Sequence, residues 1–235
     1  MKGPTLECST CYNIPMCGRF VRSSPIAMIK TEFRVKKSLD ELSPSYNIAP
    51  SQNILIINQE GEKQLIACTW GLIPSWAKDP SIGHKTINAR AETVAEKPMF
   101  RSAFKKHRCL VIADGFYEWE KAEKKKVPFY IRLRTGRPFG FGGLYSHWTS
   151  PEGKTVCTCT IITTIANELI ESIHDRMPVI IPKDREDLWL DSEVQDPETL
   201  LGLLKPYPAE LMEMYEVSTK VNIPAFQSHE AITPV

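Results

Sequence analysis

Short apolar runs rich in β-branched and aromatic residues recur along the middle of the chain, between residues 53 and 164. Each run has the length of a strand, and several alternate apolar with polar positions, which is the period of a β-strand rather than of a helix. Turn sequences such as Gln59-Glu60-Gly61-Glu62 separate them, so we expect hairpins in an antiparallel sheet, with no room for parallel crossovers. The predicted strands are 53–58, 64–70, 108–113, 116–120, 128–134, 138–148 and 155–164.

Helical spacing of apolar positions appears in five other segments. The predicted helices are 25–33, 97–106, 166–172, 183–190 and 196–204. Asp196 followed by Pro197 is a typical N-cap and first-turn pair. Because no repeat or low-complexity stretch divides the chain, we expect an α+β fold in which residues 17–235 form a single domain around a curled, barrel-like antiparallel sheet with peripheral helices. Residues 1–16 lack this periodicity and are expected to be a leader or pro-segment.

The composition excludes several classes of protein. The 235 residues are 42% hydrophobic and 24% charged, with 12 Gly and 18 Pro, which rules out collagen, coiled coils and wholesale disorder. No window approaches the ~20 apolar residues of a membrane helix, and the first residues lack the apolar region of a signal peptide. Seven Cys, an odd number, favour a reducing compartment over a disulfide framework. We therefore expect a soluble protein, cytoplasmic or nucleoid-associated in a bacterium and nuclear in a eukaryote.

Charge is distributed unevenly although the net charge is +1. Residues 1–182 carry 25 Lys and Arg against 17 Asp and Glu, whereas residues 183–216 carry three basic residues against ten acidic ones. A basic body suits a polyanionic ligand on one face. Solvated helices of opposite sign explain the same counts equally well.

The sequence Met16-Cys17-Gly18-Arg19-Phe20 holds the first candidate for chemistry. If translation begins at Met16, or if a cleavage falls after it, Cys17 becomes the amino-terminal residue. Its amine, with a reference pKa of about 7.7–8.0, and its thiol then form a 1,2-aminothiol, which condenses with an aldehyde to an imine and closes to a thiazolidine. A buried, inert cysteine is the competing interpretation.

Three further segments hold reactive groups. Asn88 and Arg90 point to the same side of an extended segment, an amide beside a guanidinium suited to phosphate oxygens. Glu118 shares a strand face with Phe116, and a carboxylate among aromatics tends toward the raised pKa of an acid or base working near neutrality. His174, between an acid-rich helix end and a cation, is the strongest single candidate for proton transfer. The competing interpretations are, in the same order, a loop with a surface arginine, a half-exposed strand with solvated acids, and a local ion pair between Asp175 and Arg176.

Taken together and in order, six sequence blocks resemble the SRAP family, the SOS-response-associated peptidase-like proteins that process abasic sites in DNA. The blocks are Met16-Cys17-Gly18-Arg19-Phe20, Tyr46-Asn47-Ile48-Ala49-Pro50, Trp70-Gly71-Leu72-Ile73-Pro74, Ile87-Asn88-Ala89-Arg90-Ala91-Glu92-Thr93, Asp114-Gly115-Phe116-Tyr117-Glu118-Trp119 and Ile173-His174-Asp175-Arg176-Met177-Pro178. The resemblance runs from Met16 almost to Val235. It implies a single α+β domain around a curled antiparallel sheet, in keeping with the strands predicted above.

The resemblance also implies a covalent mechanism. By motif position Cys17 would attack the ring-opened aldehyde of an abasic deoxyribose and form a stable thiazolidine cross-link between protein and DNA. Glu118 would be the acid/base beside the amine and imine, His174 would assist sugar ring opening and proton transfer, and Asn88 would orient the Cys17 terminus or the sugar oxygen. No metal and no organic cofactor are expected.

Binding to single-stranded DNA that contains abasic sites follows from the same resemblance. The phosphate-contacting cations would be Arg19, Arg90 and Arg176. The groove would be lined by Asn47, Pro50, Trp76, Met99 and Phe100. Base stacking on aromatics tolerates any sequence, and an abasic nucleotide has no base to unstack, so the lesion itself supplies selectivity. We expect no membrane contact, name the replication machinery as a further candidate partner, and expect a monomer.

The sixteen residues before Cys17 depart from the family pattern. While they remain attached, the nitrogen of Cys17 is an amide without a basic lone pair, so imine and thiazolidine chemistry are both impossible. A start codon assigned too early, a pro-segment removed by self-cleavage through Cys17, and an intact leader on a chemically silent protein all stay open. The pair Cys8 and Cys11 is weak evidence for a zinc site. Two other functions compete: a cysteine peptidase using Cys17, His174 and Asn88 on other proteins, and a non-catalytic module for single-stranded DNA.

Overall fold

The computed structural model describes residues 18–39, 43–121 and 126–235 of the chain. The strands in these ranges are β1 (Phe20–Arg22), β2 (Lys37–Ser38), β3 (Ser45–Ile48), β4 (Asn53–Glu60), β5 (Glu62–Trp70), β6 (Asn88–Arg90), β7 (Arg108–Ala113), β8 (Gly115–Lys121), β9 (Lys126–Leu133), β10 (Phe139–Thr149), β11 (Thr155–Ile165), β12 (Arg176–Pro178) and β13 (Met212–Glu216). The α-helices are α1 (Ile26–Phe33), α2 (Arg101–Lys106), α3 (Glu186–Leu190) and α4 (Pro197–Leu201). Short 3₁₀ helices cover Pro80–Lys85, Ala91–Thr93, Lys183–Arg185, Ala209–Leu211, Thr219–Asn222 and His229–Ile232.

Five of the strands close into a barrel. β11, β10, β7, β4 and β5 pair in that order with antiparallel neighbours, and β5 then pairs with β11 in parallel, with Trp70 opposite Cys159. The barrel confirms the α+β fold around a curled sheet that the sequence predicts. We call the parallel pairing of β5 with β11 the seam of the barrel. It shows that the expectation of no room for parallel crossovers is wrong. The two strands lie far apart in the sequence, and the chain between them supplies the crossover.

A glycine continues the seam beyond the end of β5. The N–H of Gly71 donates to the carbonyl oxygen of Cys159 at 2.8 Å. Gly71 has a φ of 134°, and a Cβ added there would lie 2.6 Å from the carbonyl oxygen of Gly83. Only glycine tolerates both that backbone conformation and that close approach. The block Trp70-Gly71-Leu72 therefore fixes the direction in which the following loop leaves the barrel.

A second, open sheet carries the start of the described chain. Its strands follow the order β13, β9, β8, β1, β3, and every neighbouring pair is antiparallel. Two short strands lie on opposite edges of β11: β6 pairs with it in parallel and β12 pairs with it antiparallel. Thr163 of β11 is accordingly the partner of both Arg90 and Pro178. The C-terminal end of β11 therefore lies between the strands of two of the sequence blocks described above, 87–93 and 173–178.

The core is layered, because the barrel strands are buried on both faces. On β4, Ile54 and Ile56 belong to a cluster shared with the second sheet, whereas Leu55 and Ile57 belong to a cluster covered by helices α1 to α4. A third cluster, which includes Tyr117, lies between the second sheet and the C-terminal segment. Runs that are continuously apolar, such as β7, are the sequence signature of strands covered on both sides.

A disulfide crosses the barrel seam. Cys68 of β5 is bonded to Cys157 of β11, 89 residues further along the chain. Among the described residues Cys109 and Cys159 are free thiols, and both are buried. The odd number of cysteines already required an unpaired thiol, but the bridge itself was not expected from a sequence that favoured a reducing compartment. The two partners become neighbours only through the parallel pairing of β5 with β11.

All seven predicted strands are present, each within two residues of its predicted ends. The predicted helix over 166–172 is wrong, because that segment consists of hydrogen-bonded turns. The N–H of Ala166 donates to the carbonyl oxygen of Asp175 at 3.0 Å, which closes a loop and returns the chain to β11 before a helix can extend. The strands that the sequence pattern did not reveal have two to five residues and are defined by their partners rather than by periodicity.

Candidate active site

The described chain begins beside Glu118. Cys17, the predicted nucleophile, lies outside the described residues, and so do Cys8 and Cys11. Phe20 of β1 pairs with Phe116 of β8 in an antiparallel register, and continuing that register places Gly18 level with Glu118. Gly18 is buried. The residue that follows Cys17 is therefore held against the strand that carries the predicted acid/base.

Glu118 sits near the middle of β8, opposite Phe129 of β9, and only 4% of it is exposed. The predicted alternation of this strand is confirmed: Phe116 belongs to the cluster shared with the barrel, and Tyr117 and Trp119 belong to the cluster against the C-terminal segment. Glu118 therefore lies on the barrel side of the second sheet, where its carboxylate is shielded from bulk water.

Trp70 connects the start of β1 with Asn88. The ring of Phe20 packs edge-on against Trp70 with 5.2 Å between ring centroids. The indole N–H of Trp70 donates at 2.8 Å to the carbonyl oxygen of Ile87, the residue before Asn88. Trp70 is fully buried, so its position is fixed by packing as well as by this hydrogen bond. The segment that follows Cys17 and the segment that carries Asn88 are therefore joined through one side chain.

Asn88 and His174 come from segments that flank the far end of β11. Asn88 opens β6, and its Cα partner on β11 is Ile161. His174 precedes β12, whose first residue, Arg176, is the partner of Ile165 on the other edge of β11. Eighty-six positions of sequence separate the two residues, and it is β11 that brings their segments to the same end of the barrel.

The imidazole of His174 is held by its own loop. The main-chain N–H of Arg176 lies 3.0 Å from Nδ1 of His174 and donates to it. A carboxylate oxygen of Asp175 lies 3.0 Å from the same nitrogen, but the Asp175 side chain is 84% exposed. The main-chain donor is fixed by the strand and the carboxylate is free to move in water, so the main chain defines the orientation of the ring. The side chain of His174 is 17% exposed, which leaves it accessible.

Arg176, predicted to contact phosphate, is engaged with a neighbouring carboxylate. Its two terminal nitrogens donate to the two oxygens of Glu92, at 2.5 and 2.9 Å, and one of them also donates to the carbonyl oxygen of Thr163 at 2.7 Å. These hydrogen bonds hold the pKa of Glu92 below its usual value. Glu92 stands in one of the six sequence blocks, but no pattern near it indicates its partner, which lies 84 positions away.

Arg19 and Asn47, also predicted to face DNA, form a buried hydrogen-bonded cluster with Val221 and Ile223 of the C-terminal segment, which we call the knot. A terminal nitrogen of Arg19 donates to Oδ1 of Asn47 at 2.8 Å and to the carbonyl oxygen of Val221 at 3.0 Å. The amide nitrogen of Asn47 donates to the carbonyl oxygens of Val221 and Ile223, at 3.0 and 2.9 Å. Asn47 is fully buried, and burial lowers the pKa of Arg19. In this structure these two side chains anchor β1 and β3.

The remaining residues predicted to line a groove differ in exposure. Trp76 is 61% exposed, and with Met99 it lines a cavity of about 160 Å³. Phe100 is only 3% exposed, packs in the helix-covered cluster and is not among the residues that line this cavity. Pro50 is half-buried, and Arg90 is exposed at the end of β6.

Two general features of the described residues bear on the chemistry. Within residues 18–39, 43–121 and 126–235 no three His, Cys, Asp or Glu side chains are grouped to hold a metal ion. In the same ranges, none of the helices has both the length and the apolar character needed to span a bilayer. The groups the structure does position are a shielded carboxylate, an oriented imidazole and an amide, which are suited to proton transfer and to hydrogen bonding of oxygens.

Known proteins resemble this chain along nearly its whole length. Residues 16–224 match the family described as SOS response associated peptidase (SRAP). The chain is 51% identical over 221 residues to the Bacillus subtilis abasic site processing protein YoqW. The aligned region covers 92% of this chain and 99% of that protein. It is 34% identical over 215 residues to the Xenopus tropicalis abasic site processing protein HMCES, covering 78% of this chain and 64% of that one. A crystal structure of a Bacteroides thetaiotaomicron protein matches with a TM-score of 0.84 at 28% identity, over 93% of this chain and 100% of that one.

Fold and site together define an α+β barrel protein with a buried carboxylate on the second sheet and with an imidazole and an amide on segments beside β11. The six sequence blocks lie within or beside the strands that build this arrangement. The chain belongs to the SOS response associated peptidase (SRAP) family. The resemblance that the sequence blocks carried is thereby confirmed.

Proposed function

We propose that this protein recognises abasic sites in single-stranded DNA and becomes covalently linked to them through Cys17. The observation that carries the proposal is the placement of Gly18 level with Glu118, combined with membership of a family whose relatives are named abasic site processing proteins. Gly18, the residue after Cys17 in the sequence, is thereby level with a shielded carboxylate. Asn88 and His174, on segments tied to the same core, supply the other polar groups that the chemistry requires.

The proposed reaction has two bond-forming steps. The amine of Cys17 adds to the aldehyde carbon of the ring-opened sugar, and loss of water gives an imine. The thiol of Cys17 then adds to the imine carbon, and its proton passes to the nitrogen, which closes a thiazolidine ring. Glu118 relays the protons, His174 assists opening of the sugar ring by hydrogen bonding to its oxygen, and Asn88 orients the nitrogen or the sugar oxygen. One water is released and no oxidant is needed.

The reactive form begins at Cys17 in this proposal. An amine with a reference pKa of about 7.7–8.0 is partly neutral, and hence nucleophilic, at physiological pH, whereas an amide nitrogen is not. The family match begins at residue 16, which supports a working chain without the preceding residues. Residues 1–16 are absent either because translation starts at Met16 and that Met is then removed by hydrolysis, as the small side chain of Cys17 permits, or because Cys17 cleaves the chain. The family name, which includes peptidase, favours the second route.

Intact-mass measurement and a denaturing gel test the proposal together. The protein beginning at Cys17 is incubated with single-stranded DNA that contains one abasic site, and we expect a covalent shift that survives denaturation. The Cys17→Ala variant keeps an amino-terminal amine but lacks the thiol, so it should bind the DNA without forming the stable adduct. Absence of any adduct with a confirmed Cys17 terminus would reject the covalent mechanism and leave only nucleic-acid binding.

A further inference from the structure

We infer that Glu92 is a positioning residue that acts through Arg176 on His174. It would hold the neutral His174 ring with its proton on Nε2, so that His174 presents a hydrogen-bond donor to the sugar. The inference rests on the proposed function for the identity of the reaction, but its structural part concerns three side chains that are described independently of Cys17.

The Glu92–Arg176 pair ties the two site segments together across β11. Glu92 belongs to the 3₁₀ helix that directly follows β6, the strand of Asn88, and Arg176 opens β12 directly after the loop of His174. Because β6 and β12 lie on opposite edges of β11, the ion pair spans the end of that strand. The third hydrogen bond of the guanidinium, to the carbonyl oxygen of Thr163, fastens it to β11 itself. Relative movement of the two segments would break these bonds.

The pair has the geometry of a strong interaction rather than of an ordinary surface ion pair. Most exposed ion pairs contribute little, because water screens them and long side chains must be ordered. Here the side chain of Arg176 is only 9% exposed and meets both carboxylate oxygens of Glu92 in a fork. The Glu92 side chain is 48% exposed, so it approaches the buried guanidinium from the solvent side.

Arg176 transmits this restraint to His174 through its main chain. The N–H of Arg176 donates to Nδ1 of His174 at 3.0 Å. The Asp175 carboxylate lies 3.0 Å from the same nitrogen and would favour a proton there, but its side chain is 84% exposed to water, so we assign the choice of tautomer to the main-chain donor. A nitrogen that accepts a hydrogen bond carries no proton. The single proton of the neutral ring then resides on Nε2, which becomes the donor. Arg176 is held both by the pairing of β12 with β11 and by the hydrogen bonds of its guanidinium, so loss of the second restraint would loosen the residue whose N–H selects this tautomer. Glu92 is thus expected to govern the orientation and tautomer of His174 without touching the substrate.

The tautomer is measured first, on the full chain and without DNA. Long-range ¹H–¹⁵N NMR of histidine-labelled protein distinguishes a protonated from an unprotonated ring nitrogen, and His174→Gln assigns the signal. At a pH where the ring is neutral we expect the wild type to show protonated Nε2 and unprotonated Nδ1, and Glu92→Gln to show a mixture of the two forms. A wild-type ring protonated on Nδ1 overturns the inference whatever the activity, and so does an unchanged tautomer in Glu92→Gln.

Cross-linking kinetics then separate positioning from binding. With protein beginning at Cys17, Glu92→Gln should lower the single-turnover rate on abasic single-stranded DNA by about 10-fold, because small misplacements of catalytic groups are costly. Its affinity for undamaged DNA should change by less than about two-fold. Glu92→Asp, which keeps the charge, should recover part of the rate. An equal loss of rate and affinity, or no recovery in Glu92→Asp, overturns the inference.

Glu213→Gln is the matched control, since Glu213 also pairs with an arginine, Arg132, at 2.6 Å, but on the outer edge of the second sheet. It should leave both the rate and the tautomer unchanged, and a loss of rate equal to that of Glu92→Gln would overturn the inference. If the wild type forms no adduct at all, the proposed function fails. The NMR measurement still decides the structural part in that case, so the two failures are distinguishable.

Discussion

At the scale of single residues, polar side chains inside the protein decide where the site segments lie. Asn47 is fully buried and supplies two donors and one acceptor to a knot that joins β3, Arg19 and the C-terminal segment. Such groups are tolerated inside a protein only when their hydrogen bonds are made. The knot fixes Arg19, two residues after Cys17 in the sequence, and therefore fixes the direction from which the chain enters β1.

Substitution of Asn47 by Ala should destabilise the protein by about 2–4 kcal/mol, because the carbonyl oxygen of Ile223 loses the Asn47 donor, that of Val221 keeps only its bond from Arg19, and Arg19 loses an acceptor in a buried place. Urea unfolding measures the change. Asn53→Ala is the matched control, since Asn53 is exposed and accepts only from the hydroxyl of Thr69 at 3.1 Å. Its effect should stay within about 0.5 kcal/mol. Equal effects of the two substitutions would show that the knot does not stabilise the fold.

The charge of Glu92 gives stability a pH dependence of defined sign. Hydrogen bonds from Arg176 lower the pKa of Glu92 from its usual 4.5 in the folded state. A lowered folded pKa means that its stabilisation is complete above the unfolded pKa and disappears as the pH falls through the folded pKa. We expect the free energy of unfolding of the wild type to exceed that of Glu92→Gln near neutrality and the difference to vanish in strong acid.

Urea unfolding at a series of pH values provides this comparison. The variant is needed as the reference because other carboxyls titrate in the same range, and Glu186, whose pKa is raised by burial, contributes with the opposite sign. A difference between wild type and Glu92→Gln that is constant across all pH values would mean that packing, and not charge, connects Glu92 to stability.

At the scale of elements, the seam between β5 and β11 is the feature on which the barrel depends. Its pairing is parallel and short, and it is reinforced by the Gly71 hydrogen bond and by the Cys68–Cys157 disulfide. β6 continues the same edge of β11, so the seam also determines where Asn88 lies. Opening it would therefore disturb the barrel and the site segment together.

Reduction of the Cys68–Cys157 disulfide should lower the free energy of unfolding by about 2–4 kcal/mol, because the bond joins strands that are distant in the sequence and constrains the unfolded chain. Urea unfolding with and without a phosphine reductant measures the difference, and peptide mapping after alkylation identifies the bond. The double variant Cys68→Ser with Cys157→Ser should show no response to the reductant. Burial raises the pKa of the Cys109 and Cys159 thiols, so they should stay unmodified in the folded protein. An equal response of the double variant would assign the effect to other cysteines.

At the scale of the whole molecule, acidic side chains of segment 183–216 form ion pairs with basic side chains of residues 1–182. Asp187 pairs with Arg34 at 2.7 Å and also with Lys63, and Glu213 pairs with Arg132 at 2.6 Å. Part of the opposite charge of the two segments is therefore paired within the folded protein. Arg90 makes none of these contacts and is exposed, so its charge is directed toward solvent.

Arg90 should contribute to DNA affinity through a phosphate contact if the proposed function is correct. Arg90→Ala is expected to weaken binding to single-stranded DNA uniformly across sequences and to reduce the slope of log affinity against log salt by about 0.7, the value for one phosphate of a single strand. Fluorescence anisotropy at several salt concentrations measures both. The control is Arg134→Ala. Arg134 is an exposed arginine whose side chain donates to the main-chain carbonyl oxygen of Glu210, and its loss should leave the slope unchanged. A slope unaltered by Arg90→Ala would remove Arg90 from the interface.

Local sequence pattern was sufficient for the strands of the barrel and for most helices, because the alternation of side chains along a strand and the caps of a helix are properties of neighbouring residues. It failed at 166–172, where the hydrogen bond between the main chains of Ala166 and Asp175 closes a short loop that the spacing of apolar residues does not reveal. It was also sufficient to select Asn88, Glu118 and His174 as chemically interesting. It assigned no role to Glu92, since nothing near Glu92 in the sequence reveals a buried guanidinium.

The amino-acid sequence by itself determined the α+β class, the positions of the long strands and the family to which the chain belongs, because these depend on periodicity and on the order of short motifs. Only the tertiary structure decided that β5 meets β11 in parallel, that Cys68 meets Cys157, and that Arg176 turns toward Glu92. The physical reason is that such contacts depend on the register of strands far apart in the chain. That register is set by the packing of both barrel faces at once, and no local pattern contains it.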